Sequence, residues 1–160
     1  MKDLVDILKK VLKEEILVYR DLLNLMNEKT EILIEGNIEK LDKLTNKENN
    51  IVNKLGKFDN LRNKVIFNIQ HKAGMNEDID ILRLLKILDD EDKKEVFDLR
   101  EEFLEVLSKI KDKNQLNSSL IKDSLDYVNL NISMFTEEED EITYGNKNKK
   151  STISIFNQEA

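Results

Sequence analysis

The chain has 160 residues, with no Pro, Cys or Trp and four Gly; 39% of it is hydrophobic, 37% is charged and the net charge is −7. Without cysteine there is no disulfide framework and no thiolate metal site, and the acidic balance argues against nucleic acid, whose phosphates need a basic surface. Narrow apolar seams flanked by charge suit this composition better than one thick globular core, so the expected fold is all-α and elongated.

The first periodic stretch runs from about Asp3 to Glu35. Leu8, Leu12, Ile16, Tyr19, Leu23, Met26, Thr30 and Leu33 recur at spacings of three and four, which places them on one helical stripe. Asp3 is the expected N-cap. Gly36-Asn37 then breaks the pattern, because glycine accepts the left-handed conformation that ends helices and asparagine caps the next one. Beyond it Leu41, Leu44, Glu48, Ile51, Leu55, Phe58, Arg62, Val65 and Ile69 form a near-heptad seam. Two long helices joined by so short a turn lie antiparallel, so residues 3–72 are expected to form a coiled-coil-like αα-hairpin.

Ala73-Gly74-Met75-Asn76 ends the second helix. A short helix is expected over 77–88, where IDILRLLKIL (79–88) is apolar, followed by the acidic break DDEDKKE. Asp89 or Asp90 caps a long last helix over 91–135, since an acid there satisfies free amides and meets the positive end of the dipole. Val96, Leu99, Phe103, Val106, Ile110, Asn114, Asn117, Ile121, Leu125, Val128, Ile132 and Phe135 make its stripe. Asn114 and Asn117 either fix register within the seam or turn to water. Residues 1–141 therefore read as a single helical domain. The polar tail 142–160 lacks helical periodicity and is expected to be flexible when alone.

Charge is uneven along this layout: residues 1–73 carry 14 basic and 12 acidic groups, whereas 77–141 carry 9 and 20. No stretch approaches the roughly 18 apolar residues of a membrane span, so membrane insertion is not expected and the protein is placed in the cytoplasm. No convergent catalytic set is visible, so an enzyme is not expected. His71 is the only histidine and sits at a helix end, where it complements the dipole. Phosphate-binding glycine motifs are missing, and Glu137 to Glu141 lack the spacing that wraps calcium; neither cofactor nor metal is expected.

What remains is binding through apolar surface. Leu120, Ile121, Leu125, Val128, Ile132 and Phe135 share one flank of the last helix. That flank either packs on the hairpin or on a second copy, giving a structural coiled-coil scaffold without a client, or it receives an amphipathic helix from another protein. A seam of this kind can close within one chain or in a homodimer.

The segments LVYRDLLNLMNEKTEILIEGNIEKLDKLTNKENNIVNKL (17–55), LNSSLIKDSLDYVNLNISMF (116–135), TYG (143–145) and STISIFNQEA (151–160) resemble, in matching order, the flagellar export chaperones of the FlgN type. The resemblance implies a cytosolic chaperone that binds the C-terminal segments of flagellar hook-associated (hook-filament junction) proteins. It would prevent their premature assembly and deliver them to the flagellar type III export apparatus. It also implies a cargo surface on Leu120, Ile121, Leu125, Val128, Ile132 and Phe135, and a tail tyrosine, Tyr144, that docks on the export gate protein. Ile153, Ile155 and Phe156 give the tail an apolar cluster that either orders on a partner or tucks against the protein's own helices.

Overall fold

The computed structural model describes residues 1–143, with side chains through Thr136. Four helices follow in order: α1 (Lys2–Glu35), α2 (Ile38–Lys72), α3 (Ile81–Leu84) and α4 (Asp90–Thr143). No strand occurs among the described residues, so the all-α class and the hairpin are as the sequence implies.

The hairpin turn works as its two residues dictate. Gly36 takes φ 73°, and its N–H donates to the Ile32 carbonyl at 3.0 Å. A side chain there would meet the left-handed penalty of about 1–2 kcal/mol. Asn37 Oδ1 accepts from the Lys40 N–H at 3.0 Å and so caps α2. At the other end of the chain α1 starts one residue earlier than expected: Lys2 is already helical, Met1 occupies the cap position without a side-chain bond, and Asp3 lies in the first turn. An acid inside that turn still favours the helix through the dipole.

Cross-helix pairs set the topology. Arg62 meets Glu15 and Lys29 meets Glu48, so α2 runs back along α1. Lys9 meets Asp92 while Asn117 reaches Met26, so α4 runs parallel to α1. α1 is the middle helix, packed on α2 along one side and on α4 along another. This explains why its buried set is wider than the single expected stripe: Val5, Val11, Val18 and Leu22 are buried together with Leu8, Leu12, Ile16 and Met26. A helix with two neighbours must be apolar over more of its circumference.

Two boundaries differ from expectation. The stretch 77–88 is not a helix of that length: α3 is a single turn capped by Asp80, whose Oδ1 accepts from the Arg83 N–H at 2.8 Å. Ile79, Leu84 and Leu85 are buried beside Val5, Leu8, Ile69 and Val96. Irregular chain thus plugs the open end of the hairpin, and its side chains are apolar because they are covered, whatever the backbone does. α4 in turn extends beyond 91–135. Asp89 caps it, accepting from the Asp92 N–H at 2.8 Å, and the helix continues past Phe135 to Thr143.

Length then produces an overhang. α4 has 54 residues and α1 has 34, and the two start at about the same level. At about 1.5 Å per residue, roughly 30 Å of α4 passes beyond the hairpin turn.

Candidate functional site

Two ionic clusters fasten α4 and α2 to α1. Lys9 is buried, and its ammonium lies 2.6 Å from Asp92, 3.3 Å from Glu95 and 3.4 Å from Asp6. The Asp92 hydrogen bond, with those from Glu95 and Asp6, outweighs desolvation and holds this ammonium's pKa above the ordinary lysine value. In the middle of the bundle Glu15 is wholly buried and bonded by Arg62 at 2.5 Å. Arg62 also bonds Asp59 and lies 5.7 Å from the centroid of the Phe103 ring, which packs edge-on against Tyr19. Burial pushes the Glu15 carboxyl above the usual carboxylate range, and Arg62 pulls it only part of the way back. Desolvation likewise raises Tyr19. Lys9, Asp92, Glu15 and Arg62 lie in the helix contacts, where they fix register between the helices, while Asp6, Glu95 and Asp59 stand half-exposed at the edges.

Further along α4 the two asparagines part company. Asn117 is buried: its Nδ2 donates to the Met26 carbonyl at 3.0 Å, and its Oδ1 accepts from the Thr30 hydroxyl at 2.5 Å. Asn114 is exposed. One amide therefore marks the seam with α1 and the other turns to water.

Asn117 sits at the boundary of the core. Neither buried cluster contains an α4 residue beyond Ile110 among the described residues. The sequence-predicted binding residues all lie past this boundary. Leu120, Ile121, Leu125, Val128 and Ile132 are half-buried, and Phe135 is 70% exposed. From Ile121 to Phe135 the spacing of four, three, four and three prolongs the face that carries Val96, Leu99, Phe103 and Val106 against α1. α1 continues nine residues past Met26, so Leu120 and Ile121 lie along its last turns, and from about Leu125 the helix keeps presenting its seam after that partner has ended. Tyr144, Ile153, Ile155 and Phe156 lie outside the described residues.

Sequence reading missed a second apolar row. Tyr127, Leu130 and Met134 are 67%, 58% and 58% exposed, and Leu116 falls on the same line. At 100° per residue this row sits roughly opposite the Ile121–Phe135 stripe. Its signal was present as large apolar residues at i, i+3 and i+7, but a search for one stripe per helix leaves the second face unread.

A helix whose apolar seam face is only partly covered is suited to receive another amphipathic helix, which would anchor at spacings of three and four. Among the described residues, no group of three or more His, Asp or Glu side chains is placed to hold a metal ion. Nor is any helix among them long and apolar enough to cross a membrane.

Comparison with known proteins accords with this arrangement. The family model described as FlgN protein matches residues 1–152. The uncharacterized protein YvyG of Bacillus subtilis (strain 168) is 25% identical over 154 residues, spanning 93% of this chain and 94% of that protein. No solved structure matches.

Proposed function

The chain belongs to the FlgN family of flagellar export chaperones, and from that premise we propose that it binds the C-terminal segments of hook-filament junction proteins in the cytoplasm. The observation that carries this reading is the seam of α4 beyond Asn117, which joins neither buried core cluster and stays apolar past the level at which α1 ends.

The mechanism is sequestration. Cargo termini that assemble outside the cell carry apolar helical stripes able to self-associate. Seating such a stripe on Leu120, Ile121, Leu125, Val128, Ile132 and Phe135 completes the seam in place of α1 and keeps the cargo from premature assembly. Tyr144, just beyond the described helix, is the residue for docking the loaded chaperone on the export gate protein, and Ile153, Ile155 and Phe156 are the tail's apolar contacts. The acidic second half of the chain acts chiefly on association rate at physiological salt.

The test is to recover the protein from its own cytosol and identify what accompanies it. Flagellar junction proteins should be retained. A preparation that brings down no junction protein, under conditions where those proteins are expressed, would contradict the reading and favour a clientless scaffold.

A further inference from the structure

The outer row of α4 remains unaccounted for: Tyr127, Leu130 and Met134 are exposed and lie roughly opposite the stripe assigned to cargo. They make an apolar strip about 10 Å long on an otherwise polar surface. Its surroundings are acidic. Residues 116–143 carry seven acids against one base, Lys122, and five of the acids are consecutive at 137–141. At about 100° per residue the other two, Asp123 and Asp126, fall on the side of the helix that bears this row, Asp123 about 40° from Tyr127. The row therefore calls for an occupant that is apolar and basic.

The chain itself supplies a segment of that chemistry. Past Thr143 the sequence runs on for 17 residues, Tyr144 to Ala160, with Lys147, Lys149 and Lys150 and a single acid, Glu159. Ile153, Ile155 and Phe156 follow the lysines, and alternation with Thr152 and Ser154 puts the two isoleucines on one side of an extended segment. Gly145-Asn146 is suited to reverse the chain, because both residues accept the positive φ of tight turns. Counting from Asn146 at about 3.3 Å per residue, Lys150 returns at most roughly 13 Å, Ile153 roughly 23 Å and Phe156 roughly 33 Å. Along α4, at about 1.5 Å per residue, these limits correspond to the levels of about residues 134, 128 and 121. The lysines thus pass the acids at 137–141, and the apolar cluster reaches Met134, Leu130 and Tyr127 without exceeding full extension. The cavity lined by Ile66, Phe103 and Leu107 lies more than roughly 50 Å back along α4 and is out of its reach.

We infer that residues 144–160 fold back as a strap along the outer row of α4, with Lys147, Lys149 and Lys150 beside the acids at 137–141 and Ile153 and Ile155 against Tyr127, Leu130 and Met134. The Ile121–Phe135 stripe faces away from this contact, so the strap leaves the cargo side open and does not depend on a guest. A partner that takes the tail has first to lift it from this row.

Because the chain has no cysteine, paired substitutions report the contact directly. Leu130→Cys with Ile153→Cys in the full chain, kept dilute and mildly oxidised, should close an intramolecular disulfide about tenfold faster than Val128→Cys with Ile153→Cys, which offers a thiol at nearly the same level on the other side of the helix. Adding Lys147→Glu, Lys149→Glu and Lys150→Glu should remove that preference while helicity by circular dichroism stays unchanged. Equal rates from positions 128 and 130 overturn the inference. So does failure of the 130–153 pair to close, or a preference that survives the charge reversal.

Discussion

Arg62→Ala should destabilise the protein by about 3–5 kcal/mol, a large share of the stability of a domain this size. Glu15 is wholly buried, its Oε1 accepts from Arg62, and among the described residues its Oε2 has no hydrogen-bond partner. Removing the guanidinium leaves a carboxylate with neither water nor counter-charge. Loss of the half-exposed Asp59 contact adds little, since solvent screens it. Replacing both partners, as Glu15→Leu with Arg62→Leu, should lie within about 1 kcal/mol of the wild type, because an apolar pair avoids the desolvation cost. Urea unfolding followed by circular dichroism measures both. A single-variant loss below about 1 kcal/mol would show that Glu15 is solvated or protonated at no cost.

The same pair gives a pH dependence of definite sign. Burial raises the folded-state pKa of Glu15, so between the ordinary carboxylate range and the raised value the folded chain holds a proton that the unfolded chain has lost. Unfolding then releases a proton, and this group's contribution to stability falls as pH rises through that window.

Val128→Asp with Ile132→Asp should weaken cargo binding by at least ~100-fold, because each change would place an unpaired carboxylate against an apolar helix. Neither residue belongs to a buried core cluster, so helicity and unfolding midpoint should hardly move. Leu130→Asp with Met134→Asp supplies the control, since it alters the opposite side of the same helix and should leave cargo affinity near wild type. Equal losses from the two pairs would mean that the cargo contact does not respect the faces of α4. Titration of the full chain with a peptide spanning a junction protein's C-terminal helix gives the comparison.

The hairpin was legible in the sequence because one local signal, Gly36-Asn37, and one long-range pattern, the α2 seam, point to the same topology. The stretch 79–88 was misread as a full short helix because irregular backbone also carries buried apolar side chains; periodicity cannot separate the two over ten residues. Arg62 was visible as a polar residue within a seam. Its partner Glu15 was not, since pairing residues 47 apart requires the register of the hairpin. A count from the turn does not supply it either, since Arg62 lies 26 residues after Gly36 and Glu15 21 before it. On α4 the seam face was legible and its outer row was not, as one stripe accounts for a packed helix and offers no reason to look for another. Where the core ends could not be read, because it depends on the register of α4 against α1, fixed by Lys9–Asp92 and Asn117–Met26, and on α4 continuing to Thr143.

The central claim is that the seam of α4 past Asn117 is available to a guest helix. Amide hydrogen exchange on the full chain, with and without a peptide spanning a junction protein's C-terminal helix, tests it most directly. Residues 120–136 should exchange faster than residues 92–110 in the free protein and slow markedly on adding the peptide. Protection across 120–136 that already equals the core and does not change with peptide would contradict the account.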